Sequence, residues 1–377
     1  MSVIDWAVIL GSGAAVLSCL LFLYQLVWRK KMKSQIEEKR LKREAPVLMK
    51  GYREALAKEL GTVNLFGLRH FDNIPVKLDE VFVPLRISEA WRSEWRFDPR
   101  KRKNRQEMAR FESGERSFAP AEVMRRAFKK VSLLLIIGDP GSGKTTLLKY
   151  YAVSCLENRH KQLGLPKHVL PIYLPLRELQ FEGSHPIVLW ENLARRPKTP
   201  LLNISAGDFQ FWIQNRPSLV LLDGLDEISD LERRRAACEW IKHLSETLPK
   251  ARFVVTARGT GMRKEDLIEL ECRHLRADIL DFSPQQQEIF LKGWFRAACL
   301  EELPVEGMTE RAWQAQQTGE AEAKAGEIID FLNKEENRGI RQLAGIPMLL
   351  QIMAIVWKER EFLPRSRYVL YDTALDY

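Results

Sequence analysis

The chain has 377 residues, 45% of them hydrophobic and 29% charged, with a formal net charge of +9. That apolar share is ample for a packed core, and the length suits about two domains. The five cysteines are scattered with neither CxxC nor metal-ligand spacing, and no HExxH occurs, which excludes a disulfide framework and a zinc module and suits reduced core thiols.

Trp6 to Trp28 runs for 23 residues without a charge. At a rise of about 1.5 Å per residue a helix of that length spans about 34 Å, enough for a bilayer core. Trp6, Tyr24 and Trp28 lie towards its ends, as an aromatic belt would, and small residues at Gly11, Gly13, Ala14 and Ala15 occur without a full GxxxG. A cleaved signal peptide is the main rival, but it wants a positive n-region and Met1–Asp5 carries only an acid. Positive charge instead follows the span, at Arg29, Lys30, Lys31 and Lys33. The expectation is a single-pass anchor in the lipid bilayer at 6–28, with residues 1–5 outside and everything after Trp28 cytoplasmic.

A charged helical linker is expected at about 33–60. Its Lys33, Lys39, Arg40, Lys42 and Arg43 either favour anionic headgroups or form a solvated face. A lead-in segment with a short strand at 76–85 follows, then a basic loop, Arg100-Lys101-Arg102-Lys103 with Arg105, after Trp91 and Trp95. Nucleic-acid contact there is disfavoured, because no recognised module surrounds it. Residues 29–115 thus form a juxtamembrane linker and lead-in.

A helix at 119–130 precedes an apolar strand at 131–137, which runs into Gly138-Asp139-Pro140-Gly141-Ser142-Gly143-Lys144-Thr145-Thr146. This is a complete GxxxxGK[ST] phosphate-binding loop, and the helical pattern of 146–156 after it completes the strand–loop–helix setting that gives the motif meaning. Gly141 and Gly143 let the backbone curl with its N–H groups inward, and the helix adds the positive end of its dipole. Lys144 reaches the β- and γ-phosphates, and Thr145 offers a hydroxyl to Mg²⁺.

Further strands are expected at 169–174, 219–222, 253–256 and about 277–281, with helices at 208–215 and 231–248. The strand Leu219–Leu222 runs into Asp223-Gly224-Leu225-Asp226-Glu227. An acid at the end of a buried strand needs its charge compensated, and Mg²⁺ held at the phosphate loop does so. Asp223 is therefore read as the Walker B carboxylate, acting on the metal through water. Asp226 and Glu227 lie just past the strand, where a carboxylate orients or polarises an attacking water. A cluster of acids at the N-terminus of the next helix would explain one of the three, not all. From 283 the pattern is helical, at 284–299, 322–336, 338–344 and 347–358, with Glu301–Thr318 read as irregular or inserted. Strand–helix alternation predicts an α/β fold with a parallel sheet covered on both faces.

The run LVLLDGLDEI resembles the Walker B of NACHT-type P-loop NTPases of the STAND class. Phe253-Val254-Val255-Thr256-Ala257-Arg258 is similar to the family's sensor 1 strand, which implies that Arg258 sees the γ-phosphate. Gly345-Ile346-Pro347 resembles the GxP motif, which implies that Pro347 packs against adenine, and 363–371 matches the usual continuation. Val76–Leu85 resembles the lead-in strand of bacterial members. The resemblance covers about 70–377. It implies a P-loop NTPase core at 116–282 with strand order 5-1-4-3-2, a helical domain at 283–377, and a site at the C-terminal ends of strands one and three. The family continues into a winged-helix domain with a phosphate-sensing histidine, whereas this sequence stops at Tyr377.

The leading expectation is a membrane-tethered ATPase of the bacterial inner membrane. It would bind ATP·Mg²⁺, hydrolyse it slowly, and use ATP or ADP to switch a signalling assembly through a homo-oligomer or an effector. The resemblance to bacterial members implies a stress or antiphage role. An AAA+-like mechanoenzyme is the alternative, although no arginine finger for it is apparent; a nucleotide-binding membrane scaffold with little turnover is another. A GTPase would want NKxD and an ABC ATPase LSGGQ, and neither occurs.

Overall fold

The structure is a computed structural model that describes residues 39–63, 76–78, 82–88, 117–181, 187–196, 202–258, 270, 272–300, 308–364, 369–370 and 372. The apolar stretch at 6–28 and the basic loop at 100–105 lie outside them. Among the described residues no helix is long and apolar enough to cross a membrane.

Helix α1 (39–60) buries Ala45, Met49, Tyr52, Leu56 and Leu60, a stripe spaced by three and four residues as an amphipathic helix requires. Its basic first turns precede that stripe and stay exposed. Strands β1 (Thr62–Val63) and β2 (Val76–Lys77) form a small antiparallel ladder. Then come β3 (Arg86–Ser88), β4 (Ser117–Phe118), α2 (Pro120–Ala127), β5 (Leu133–Ile137), α3 (Lys144–Leu156), β6 (Leu170–Pro175), α4 (Ile187–Arg195) and α5 (Ala206–Asn215). The order continues through β7 (Ser218–Asp223), α6 (Leu231–Thr247), β8 (Ala251–Ala257) and β9 (His274–Leu280). Helices α7 (Pro284–Leu300), α8 (Glu310–Asn333), α9 (Arg338–Leu343) and α10 (Pro347–Arg360) complete the described chain.

The main sheet has seven strands in the order β4-β3-β9-β5-β8-β7-β6. Its five parallel strands, β9-β5-β8-β7-β6, follow the expected order 5-1-4-3-2, but that order as a description of the whole sheet is corrected: β3 and β4 extend it antiparallel beyond β9. The other pairings, β9 with β5, β5 with β8, β8 with β7 and β7 with β6, are parallel. The lead-in strand expected at 76–85 is shorter than that: Val76–Lys77 pairs with β1, apart from the main sheet. Residues 82–85 carry no ladder and the pairing begins at Arg86, because Pro84 has no N–H to donate. Val83 and Leu85 are nevertheless buried, so the segment packs as part of the core.

Central strands β5, β7 and β8 are apolar on both faces because helices cover both, and each fully buried Leu, Ile or Val there contributes about 1.5–3 kcal/mol. The irregular stretch expected at 301–318 is instead helical from Glu310, capped by Thr309, whose hydroxyl accepts from the Ala312 N–H. The buried face of α8 runs through Trp313, Gln317, Ala321, Ala325 and Ile328. A glutamine and small alanines give it little hydrophobic contrast, while strong intrinsic helix formers drive the helix.

Helix α1 is fastened to the back of the sheet. The Tyr52 hydroxyl donates to the Pro171 carbonyl at 3.3 Å. Arg53 donates to the carbonyls of Cys155 (3.0 Å) and Leu156 (3.2 Å), the last residues of α3, and of Val169 (3.2 Å). A guanidinium on the orphan carbonyls of a helix end satisfies them and favours the dipole. The helix after the phosphate loop is thus capped at its far end by α1.

Candidate functional site

The nine-residue loop Gly138–Thr146 lies between the C-terminal end of β5 and the start of α3. Gly138 N–H donates to the Ala257 carbonyl at 3.2 Å, tying the loop to the end of β8. Gly141 (φ +76°) and Gly143 (φ +91°) adopt the left-handed conformation that side chains disfavour. At Gly138 a Cβ would stand 2.5 Å from the Ser142 hydroxyl oxygen. Gly143 is the N-cap of α3 and supplies no side chain to its amides, and the first turn holds no acid. Those amides and the positive end of the dipole are therefore available to an anion. Asp139 and Pro140 are exposed at the loop's tip.

The Lys144 ammonium donates to the carbonyls of Gly138 (2.8 Å) and Asp139 (3.0 Å), folding back over its own loop. Burial lowers its pKa. Asp226 opposes that shift, Arg258 reinforces it, and Asp223 and Asp139 oppose it less strongly than Asp226. Of the carboxylates, Asp226 therefore acts on this ammonium most strongly.

Asp223 ends β7 with 7% exposure, and both its oxygens are engaged. Oδ2 accepts from the Thr145 hydroxyl at 2.7 Å and the Tyr173 hydroxyl at 3.0 Å. Oδ1 accepts from the Thr256 hydroxyl at 2.7 Å, and Thr256 itself accepts from the Gly224 N–H at 2.8 Å. Burial first, then the charge and hydrogen bond of Asp223, raise the Tyr173 pKa far above the usual phenol range, so it stays a donor. Gly224 is left-handed (φ +75°), and a Cβ there would meet the Glu227 carboxyl carbon at 2.8 Å.

Asp226 and Glu227 lie in a short 3-10 turn, Leu225–Glu227. They do not cap the following helix, whose N-cap is Asp230. Asp226 Oδ2 accepts from Arg258 Nε at 2.7 Å, with the Asp226 side chain 7% exposed, while its Oδ1 is buried without a hydrogen-bond partner among the described residues. Glu227 Oε2 pairs with Arg177 at 3.1 Å and is more open, its side chain 35% exposed. The first residue of α10 is Pro347, half-buried. Next to it the Met348 N–H donates to the Gly141 carbonyl at 3.2 Å, and a Cβ on Gly141 would lie 2.7 Å from that of Met348.

The chain thus places Lys144, Thr145, Asp223, Asp226 and Arg258 near one another, turns Glu227 to Arg177, and seats the helix begun by Pro347 against the phosphate loop. Sequence reasoning missed Tyr173, Arg177 and Met348 and gave Thr256 no role. The signal for two of them was there: a hydroxyl inside a buried apolar strand demands a partner. A magnesium ion fits this donor set. Among the described residues no group of three or more His, Cys, Asp or Glu is arranged to hold a metal ion by itself. The protein offers one hydroxyl and one carboxylate side by side, which suits an ion that keeps water and takes phosphate oxygens. Ser142 Oγ in the loop and Asp226 Oδ1 beside Arg258 are buried without a hydrogen-bond partner among the described residues, as polar atoms that meet a ligand would be.

Residues 132–298 match the NACHT domain family. Among solved structures, a Walker-type ATPase of Pyrococcus abyssi aligns at 14% identity with a TM-score of 0.40, covering 68% of this chain and 71% of that one. No curated protein sequence matches the chain. The segment 132–298 is thus similar to a P-loop NTPase domain, which supports nucleotide binding and ATP hydrolase chemistry.

Proposed function

We propose that this protein is a slow, switch-type ATPase whose bound nucleotide governs how α10 sits on the phosphate loop. The observation that carries the reading is the Met348–Gly141 contact, in which the first turn of α10 donates to a carbonyl of the phosphate loop. A ligand that reshapes that loop changes this contact, and a ligand shifts an equilibrium only through such differential interactions.

In this reading the amides of 141–146 bind the phosphates and Lys144 exchanges its two carbonyl bonds for phosphate oxygens. Thr145 and Asp223 hold the metal, which when bound would neutralise charge on the β- and γ-phosphates. Asp226 takes the proton of the attacking water, Glu227 supports it, and Arg258 meets the γ-phosphate. Pro347 borders the adenine. The uncharged stretch Trp6–Trp28 and the positive residues after it support a tether in a bacterial cell membrane with the ATPase on the cytoplasmic side. Because α1 is bonded to α3 and β6, such a tether would grip the ATPase core directly.

The test uses the full chain in detergent. Single-turnover ATP hydrolysis and backbone hydrogen exchange across 346–350 are followed with ADP and with a non-hydrolysable ATP analogue. Slow cleavage with nucleotide-dependent protection at Met348 is expected. No calorimetric heat with magnesium and the analogue would end the reading, and identical exchange in both states would end its switch component.

A further inference from the structure

We propose that Tyr173 is a positioning residue of the magnesium site, holding Asp223 in place through its hydroxyl. The inference rests on Thr145 and Asp223 being the metal-holding pair. Asp223 is a buried carboxylate whose described partners are hydroxyls: Thr145 and Tyr173 on one oxygen, Thr256 on the other. A buried charge of this kind depends on every donor it has.

The two donors on Oδ2 are not equivalent. Thr145 is itself a metal-holding group, so its hydroxyl must turn a lone pair to the ion when the site fills. Tyr173 has no such duty. It reaches Oδ2 from β6, the neighbouring strand, and keeps that oxygen aimed while Thr145 reorients. Second partners of this sort fix the orientation of a metal-holding group and are worth about 10–100-fold in metal affinity.

The tyrosine is braced in turn. Arg196 donates from Nη1 to the Tyr173 carbonyl and from Nη2 to Glu59 near the end of α1. Its guanidinium carbon lies 6.0 Å from the Tyr173 ring centroid. The Arg196 side chain is 19% exposed and that of Glu59 28%. A polar chain therefore runs from α1 through Arg196 and Tyr173 to the carboxylate at the phosphate loop.

Tyr173→Phe removes one oxygen and keeps the ring. In the full chain, binding of a fluorescent ATP analogue is titrated with Mg²⁺ and repeated in EDTA, and Mn²⁺ replaces Mg²⁺ for an electron paramagnetic resonance spectrum. We expect the Mg²⁺ midpoint to rise about tenfold and the Mn²⁺ signal to change, with metal-free binding unaltered. An unchanged midpoint and spectrum overturn the proposal. So does an equal loss with and without metal, which would mark a merely structural residue. Asp223→Asn separates the two readings: if it raises the midpoint and Tyr173→Phe does not, only the role of Tyr173 falls. If the wild type shows no metal dependence, the ATPase reading falls with it. Should Tyr173→Phe not fold, Arg196→Met loosens the tyrosine while leaving its hydroxyl, and a midpoint that stays put overturns the inference equally.

Discussion

Arg258 and Asp226 form an ion pair, 2.7 Å from Nε to Oδ2, at the C-terminal edge of the sheet. The cation proposed for the γ-phosphate and the acid proposed for the attacking water are thus paired with each other. A γ-phosphate has to compete with Asp226 for Arg258, and winning would leave the carboxylate available to water. ADP offers no such competitor. Arg258→Gln should therefore lower the preference for a non-hydrolysable ATP analogue over ADP by about tenfold, the worth of one charge-assisted hydrogen bond. Calorimetry with both nucleotides checks this; equal losses for the two would remove Arg258 from the γ-phosphate.

The two acids after Gly224 should not be equivalent. Asp226 is the carboxylate that acts most strongly on Lys144 and keeps one oxygen buried without a partner among the described residues. Glu227 is turned toward Arg177. Asp226→Asn should slow single-turnover hydrolysis by about a hundredfold or more, the usual scale of a lost general base. Glu227→Gln should slow it by about tenfold or less, and both should spare binding. The reverse ranking in rapid-quench measurements would exchange their roles.

Two glycines of the phosphate loop allow strain to be separated from collision. At Gly143 a Cβ would find Leu85 at 3.6 Å, an ordinary contact, so Gly143→Ala carries mainly the left-handed backbone cost of about 1–2 kcal/mol. At Gly141 the same cost is joined by a 2.7 Å approach to Met348. In nucleotide-free thermal unfolding, Gly141→Ala should lower Tm more than Gly143→Ala and increase exchange at the start of α10. Equal shifts would mean that α10 does not press on the loop.

Lys144 sets an alkaline limit. Burial holds its free-protein pKa below the ordinary lysine value of 10.5, and phosphate binding requires the charged form. Affinity for MgADP should decline as pH rises through that lowered pKa, earlier than an exposed lysine would allow. For the nucleotide-free fold the sign is opposite. Between the folded and unfolded pKa values the unfolded chain holds more protons, so this group's share of stability is present above the unfolded pKa and lost as pH falls through the folded one. Lys144→Ala should abolish nucleotide binding at every pH while leaving a folded protein, because its two partners in this state are carbonyls at the loop. A pH-independent affinity in the wild type would contradict the assignment.

Pro347 tests the purine end. It occupies the first turn of α10, where its fixed φ suits a helix start and its missing N–H goes unmissed. Pro347→Ala should leave that turn intact yet reduce the preference for ATP over GTP in competition binding. An unchanged preference would detach the residue from base recognition.

Much of this site was legible in the chain before folding. The phosphate loop, the acids at 223, 226 and 227, and the helices around them are local: spacing, strand hydrophobicity and glycine placement are written in consecutive residues. The helical tail was legible wherever its stripe was strongly apolar and was missed at 310–321, where alanine and glutamine blurred it. Only the tertiary structure decided that two short strands, β3 from the lead-in and β4 just after it, extend the sheet beyond β9, since edge pairing depends on which backbone groups remain unpaired after the parallel strands assemble. It alone placed Tyr173 on Asp223, Arg258 on Asp226 and Met348 on Gly141, partners separated by 50, 32 and 207 positions by subtraction of their residue numbers. Such contacts follow from the register of neighbouring strands and the packing of one helix end, and neither leaves a periodic trace along the sequence.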